Sequence, residues 1–279
     1  VFVVSTPGEL ASVTRRWQSA GESVGLVPTM GALHVGHASL IDVARDAVDR
    51  IVVSIFVNPI QFNDRRDYET YPDTFADDVE LCRTHGAHAV YRPSAEHMYP
   101  DRFSTRVHVA GLTDRWEGAD RPGHFDGVTT VVTKLFAASR ADMAFFGCKD
   151  FQQAAVVRRM ARDLDVPIDV RVCPTVRDHD GLALSSRNRR LDADARRRAL
   201  AIPNALELVQ TSFSQGELRA EALIGSARAL LEASGLVVHY VALVDADSLE
   251  PLAIARSGGV LLVAATCDGV RLIDNATLV

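Results

Sequence analysis

What most constrains this chain is the alternation, over its first two thirds, of short apolar runs with stretches whose apolar residues recur at helical spacing. Ile51 to Val57 is such a run, stopped by Asn58-Pro59; Leu26-Val27, Ala87 to Tyr91, Met143 to Phe146 and Ile168 to Val172 are others. Between them, Leu40, Ile41, Ala44, Ala47 and Val48 form one helical stripe and Val128, Val131, Val132, Leu135 and Phe136 a second. Phe151, Ala154, Val157, Met160 and Leu164 form a third. Strands that are apolar throughout need cover on both faces, and helices joining them supply it. The pattern predicts an α/β fold, a Rossmann-like parallel sheet with helices on both faces. Ligands of such sheets bind beyond the carboxyl ends of the strands, so the loops that follow the runs carry the chemistry.

After about Val176 the pattern changes. Helices are expected near 192–211 and 216–233, then strands near 236–244, 259–265 and 270–274, with turns at Ser234-Gly235 and Ser257-Gly258-Gly259. This divides the chain into a domain over 1–176 and a smaller C-terminal α+β domain over 177–279. Thr74 and Asp77 have the spacing of a capping box opening a helix through Cys82.

The 279 residues, 47% of them hydrophobic, suffice for one large or two modest cores. A formal net charge of -6 argues against bulk attraction to nucleic acid, so any anion site must gather its positive groups locally. No segment approaches the roughly 18 consecutive apolar residues of a membrane helix. The opening Val1-Phe2-Val3-Val4 is too short for a signal peptide. Cys82, Cys148, Cys173 and Cys267 fit neither a disulfide framework nor a zinc spacing. A cytoplasmic protein with free thiols, partnered by neither membrane nor nucleic acid, is expected.

Five loops could do chemistry. Pro28-Thr29-Met30-Gly31-Ala32-Leu33-His34-Val35-Gly36-His37 joins a strand to a helix, where exposed amides and two imidazoles could meet a phosphate. Phe56-Val57-Asn58-Pro59-Ile60-Gln61-Phe62 offers the Asn58 and Gln61 amides to a hydroxyl or carboxylate. In Gly147-Cys148-Lys149-Asp150-Phe151-Gln152-Gln153, Lys149 brings a positive charge and Asp150 could cap the helix or orient the lysine. Asp180-Gly181-Leu182-Ala183-Leu184-Ser185-Ser186-Arg187-Asn188 supplies two hydroxyls and a guanidinium on a loop placed to move like a lid. Arg121 and His124 sit in Trp116–Phe125, and Asp77-Asp78 could hold Mg²⁺ through oxygen. Taken singly, each stretch also fits an ordinary turn, cap or surface loop.

In this order, the Pro28–His37, Phe56–Phe62, Arg121–Phe125, Gly147–Gln153 and Asp180–Asn188 segments resemble the pantoate–β-alanine ligase family. Val244-Asp245 and Arg271-Leu272-Ile273-Asp274-Asn275 extend the likeness over nearly the whole chain. One His-x-Gly-His is shared by many nucleotidyltransferases; five ordered motifs are far more specific. The resemblance implies an ATP-dependent ligase of vitamin B5 and coenzyme A biosynthesis, joining D-pantoate to β-alanine through a pantoyl-adenylate and releasing AMP and pyrophosphate. It also implies a homodimer whose second domain is lid-like.

On that likeness His34, His37, Lys149, Ser185, Ser186 and Arg187 form the catalytic set around the ATP phosphates, with His37 a candidate proton donor. Met30, Gly31, Ala32, Leu33, Val35, Gly36, Gly147, Cys148, Asp150, Val176 and Leu184 complete the nucleotide site. Gln61 and Gln153, with Asn58, would hold pantoate or β-alanine, and Asp77 and Asp78 are the metal candidates. Three positions depart from the family's pattern: Cys148 stands where glutamate is usual, Val35 where an acid is common, and Asp73 where arginine is usual. A nucleotidyltransferase acting on a phosphorylated substrate is one rival, set back by the neutral Gln61 and Gln153 amides. A nucleotide-binding regulator without turnover is the other.

Overall fold

Successive residues in the apolar runs point to opposite faces of the sheet, and each face has its own helical layer. Leu26, Val52, Ala144 and Phe146 pack with Leu10, Val13, Val128, Leu135 and Val157. Their neighbours Val27, Val53 and Phe145 pack with Leu40, Ile41, Ala44 and Cys82. This two-sided burial is why the strands read as continuous rather than alternating.

The computed structural model describes residues 1–279. Its first part contains β1 (Phe2–Val4), α1 (Pro7–Ser19), β2 (Val24–Thr29), α2 (Val35–Arg45), β3 (Arg50–Ile55), α3 (Arg65–Glu69), α4 (Phe75–Thr84) and β4 (Ala89–Tyr91). Then come α5 (Ala95–Met98), α6 (Glu117–Asp120), α7 (His124–Ser139), β5 (Met143–Gly147), α8 (Phe151–Asp163) and β6 (Asp169–Cys173). The remainder holds α9 (Ala193–Ala199), α10 (Ala201–Ser214), α11 (Ala220–Ala233), β7 (Val237–Val244), β8 (Val260–Cys267) and β9 (Val270–Thr277).

The first sheet runs β1-β4-β3-β2-β5-β6, parallel throughout. From β2 the chain winds outward through β3 and β4 on one side, then crosses to β5 and β6 on the other. The order reverses between β2 and β5, and the crevice beyond their carboxyl ends is where such a sheet binds ligands. The loop after β2 begins at Met30 and the turn after β5 at Cys148. Topology alone therefore brings two of the sequence motifs to one crevice.

The second sheet, β7-β8-β9, is antiparallel. Asp268-Gly269, both with positive φ, make the tight turn between β8 and β9. One face of this sheet packs on α10 and α11 through Leu206, Leu223, Leu231, Leu243, Leu261 and Val263. Ala242, Val244, Val260 and Leu262 instead join the first core.

Several boundaries differ from the sequence reading. The short strand β1 and helix α1 were not anticipated, and the Ile51 run ends as a strand at Ile55. The helix expected over 192–211 is two helices parted at Leu200. Pro203 lacks the N–H that would return to Ala199, so the helix restarts there. The next helix begins at Ala220 rather than 216. Helix α4 passes through Cys82 as expected, but Thr74 and Asp77 form no capping box: the Thr74 hydroxyl donates to Asp78 at 3.0 Å instead.

Candidate active site

The loop after β2 turns by placing Gly31 and Ala32 consecutively in the left-handed region, with φ of 85° and 50°. For alanine that conformation costs roughly 1–2 kcal/mol. Asp78, on α4 and 2% exposed, holds it: its carboxylate accepts from the amides of Ala32 at 3.0 Å and Leu33 at 2.8 Å. With the Thr74 hydroxyl, both carboxylate oxygens are engaged.

His34 then caps α2 with its ring, Nδ1 accepting from the Gly36 N–H at 3.1 Å, while His37 Nδ1 accepts from the His34 N–H at 3.3 Å. The two imidazoles thus make a reciprocal cap, with ring centroids 4.2 Å apart. A Cβ at Gly36 would lie 2.9 Å from His34 Cε1, so this cap requires glycine there. Burial, with Lys149 and Arg189 nearby, brings the His34 pKa down to about 4. Burial, with His34 and Lys149, brings that of His37 to about 3. Near neutral pH both rings are uncharged, and since each Nδ1 is an acceptor, each proton sits on Nε2 as a hydrogen-bond donor. As placed here, the His37 ring offers one Nε2–H.

This geometry corrects two expectations. The amides of Ala32, Leu33, His34, Gly36 and His37 already have acceptors within the protein, so the loop does not present an open row of amides to a phosphate. Ala32 and Leu33 are buried, and the Val35 side chain is 67% exposed to the outside. Nor do Asp77 and Asp78 form a metal pair: Asp77 is exposed, while Asp78 is buried with both oxygens used.

After β5 the chain makes a single 3-10 turn, Cys148–Asp150, before α8. The Asp150 side chain makes no capping bond to α8; its Oδ1 lies 3.7 Å from Lys149 Nζ, an ion-pair contact. Cys148 turns away from the cleft, with Sγ 3.8 Å from Asn275 Oδ1, and burial raises its thiol pKa. Lys149 thus gains no partner from position 148.

Ser185 Oγ accepts from the Arg187 N–H at 3.2 Å, an ST turn, and the Leu184 amide donates to Val176 at 3.0 Å. Arg187 also donates to Asp67 on α3 at 2.9 Å, and Arg190 to the same carboxylate at 3.0 Å. Burial opposes ionisation of Asp67, but the two guanidiniums outweigh it and hold its pKa below the ordinary value. The sequence carried no signal for Asp67, which lies in an unremarkable charged helix.

Met30, His34, Gly36, His37, Gly147, Lys149, Asp150, Gln153, Val176, Leu184, Ser185, Ser186 and Arg187 line one open cleft, with Tyr71 at its side. A second cavity shares Met30, His37, Asp150, Gln153 and Arg187 with it. There Gln61 lies over an apolar floor of Phe56, Val128, Val131 and Phe146. Asn58, 1% exposed, donates to Gln61 Oε1 at 2.9 Å and accepts from the Tyr99 hydroxyl at 2.7 Å, so it fixes Gln61 from behind. His124 Nδ1 donates to the Gln61 carbonyl at 2.8 Å, and Arg121 to the same oxygen at 3.2 Å. Gly31 borders a separate cavity, and Cys148 borders none of these.

Glu117, 6% exposed, joins the two parts of the chain. It accepts from Arg271 at 2.6 Å, from Tyr240 at 3.2 Å and from Arg121 at 3.2 Å. Burial opposes its charge, but Arg271 and then Arg121 prevail and lower its pKa to about 2.

A reversing parallel sheet, with imidazole, ammonium, hydroxyl and guanidinium groups around a crevice at its switch point, describes a nucleotide-binding α/β enzyme. The chain belongs to the pantoate-beta-alanine ligase family, whose model matches residues 2–277. A pantothenate synthetase of Cereibacter sphaeroides is 52% identical over 273 residues, covering 98% of each chain. One from Paracoccus denitrificans is 48% identical over 277 residues, 99% of this chain and 98% of the other. Among solved structures, a pantothenate synthetase from Thermus thermophilus superposes with a TM-score of 0.94 at 42% identity, covering 99% of both chains. A pantoate-beta-alanine ligase from Francisella tularensis, complexed with β,γ ATP and β-alanine, gives 0.84 at 30% identity, covering 99% of this chain and 97% of that one. No helix is long and apolar enough to cross a membrane.

Proposed function

We propose that this chain condenses D-pantoate with β-alanine at the expense of ATP, through an enzyme-bound pantoyl-adenylate, with its chemistry at the β2–β5 crevice. The observation that carries the reading is the shared wall of the two cavities. Groups suited to phosphate line one, neutral amides over an apolar floor line the other, and His37, Asp150, Gln153 and Arg187 border both. A nucleotide and a small hydroxy acid bound in these neighbouring cavities would contact the same side chains, which supports a reaction between them.

On this reading the ATP phosphates lie among His34, His37, Lys149, Ser185, Ser186 and Arg187, and pantoate is held by Gln61 and Gln153 with its methyls on the apolar floor. A pantoate carboxylate oxygen attacks the α-phosphorus, the bond from that phosphorus to the bridging oxygen breaks, and pyrophosphate leaves with the electron pair. Charge accumulates on the phosphate oxygens, where the two Nε2–H donors and the Lys149 ammonium act; preorganised donors of this kind contribute about 10²–10³ in rate apiece. The β-alanine amine then attacks the acyl carbon, loses a proton, and AMP departs.

Mg²⁺ enters here as part of the nucleotide substrate, held by phosphate oxygens. Asp77 and Asp78 do not fit as its protein ligands, since Asp78 is buried with both oxygens engaged. The 177–279 segment is read as a lid because it carries Ser185–Arg187 and meets the first part through the Glu117–Arg271 pair. Dimerisation rests on the family likeness and would be checked by sedimentation. Cytoplasmic location is supported by four free cysteines.

The test is to incubate the protein with ATP and pantoate, with and without β-alanine, and to follow pyrophosphate, AMP and amide product. Stoichiometric pyrophosphate without β-alanine and turnover with it are expected. Lys149→Ala should slow pyrophosphate release about a hundredfold. Near-normal release from that variant would remove Lys149 from the chemistry, and no ATP cleavage by the parent would end the proposal.

A further inference from the structure

The dipeptide Asp274-Asn275 on β9 reaches both loops of the cleft from the C-terminal sheet. Asn275 Nδ2 donates to the carbonyl of Cys148 at 2.8 Å and to that of Lys149 at 3.0 Å. These are successive peptides of the 3-10 turn that aims the lysine. No side chain caps that turn locally: Gly147 precedes it, and Asp150 at its end makes no capping bond to α8. Asn275 is itself buried, at 6% exposed, and its backbone N–H donates to Asp274 Oδ1 at 2.8 Å.

Asp274, 3% exposed, takes both arms of Arg177 at 2.6 and 3.0 Å. Arg177 also donates to the Gly181 carbonyl at 3.0 Å and pairs by a β-bridge with Ala183, two residues before Ser185. One strand thus holds the Lys149 turn with one residue and, through Arg177, the Gly181–Ala183 stretch leading into Ser185 with its neighbour.

Resting on the functional reading above, we infer that Asn275 is a positioning residue for adenylate formation. It sets where the Lys149 ammonium lies relative to the phosphate-facing loop, so the lysine is fully placed only when the C-terminal sheet is docked. Only an amide with two N–H donors serves both carbonyls; aspartate would set a carboxylate against them, and alanine would leave them free.

The experiment is a double-mutant cycle on pantoate- and ATP-dependent pyrophosphate release, using Lys149→Ala, Asn275→Ala and both together, with melting temperatures and KM values measured alongside. Misplacing a group by about an ångström can cost on the order of a hundredfold, so a fall of at least about tenfold in kcat for Asn275→Ala is expected, with the KM for pantoate nearly unchanged. In the Lys149→Ala background the same substitution should change kcat less than about threefold, since the group it places is gone. Should Asn275→Ala not fold, Asn275→Ser takes its place in the cycle. Additive losses in the cycle, or a lower melting temperature with unchanged kcat, would show a merely structural contact and overturn the inference. An inactive parent enzyme would instead overturn the functional reading beneath it.

Discussion

Removing the Asp78 carboxylate should damage the enzyme without touching a metal. In Asp78→Ala the amides of Ala32 and Leu33 and the Thr74 hydroxyl lose their shared acceptor, in a site only 2% exposed. Hydrogen bonds to a charged group contribute about 1.5–3 kcal/mol each, and they share one acceptor here, so a loss of about 3–5 kcal/mol is expected rather than their full sum. For a chain of 279 residues, with an unfolding entropy of about 2.1 cal/mol/K per residue, that corresponds to a fall of about 5–9 °C in melting temperature. Ala32, no longer held at positive φ, would relax and carry the His34–His37 cap with it, so kcat/KM for ATP should fall at least about tenfold. Asp78→Asn keeps one acceptor oxygen and should recover no more than half of the stability. The assay pairs thermal unfolding with ATP kinetics over a series of Mg²⁺ concentrations. A metal ligand would show a defect that excess Mg²⁺ repairs. Such repair, or a melting temperature within about 2 °C of the parent, would refute the structural role.

Two further outcomes follow from the same geometry. Gln61→Ala should raise the KM for pantoate more than that for ATP, because Gln61 faces the amide-lined cavity and not the phosphate cleft; an unchanged pantoate KM would sink that assignment. Burial, reinforced by Arg121, lowers the His124 pKa to about 4, below the 6.5 of an ordinary histidine. As pH falls below about 6.5 the unfolded chain takes up this proton first, so stability is full above that pH and is lost progressively toward pH 4, by at most about 1.4 kcal/mol per pH unit from this group. His34 and His37 act in the same direction, whereas Glu117, lowered to about 2, matters only below about pH 4.5. Denaturant unfolding at pH 7, 6 and 5 should show the decline and His124→Gln a shallower one; flat stability across that range would contradict it.

The central strands β2, β3 and β5 were legible because they bury both faces: runs such as Ile51–Val57 and Met143–Phe146 have strand length and end at turn residues. Motif order placed the cleft as well, since the loops after β2 and β5 must meet at the reversal of strand order. What stayed hidden is what depends on pairs distant in sequence. Asp78 read as a metal candidate because an Asp-Asp pair does not tell which member turns inward toward the amides of Ala32 and Leu33. The N-terminal amides of α2 read as open because nothing local says that the two imidazoles cap it themselves. Asp67 and Asn275 gave no sign of their partners Arg187 and Lys149, which lie more than a hundred residues away. Strand β1 has three residues and takes its identity from pairing with β4.

The central claim, that a carboxylate in the Gln61 cavity attacks the α-phosphorus of ATP in the His34–Lys149 cleft, is tested most directly by following oxygen. Pantoate labelled with ¹⁸O in its carboxylate is turned over with ATP and β-alanine, and the products are weighed by mass spectrometry. One labelled oxygen in AMP and none in pyrophosphate is the expected result. Label in pyrophosphate, or AMP without label, would contradict it.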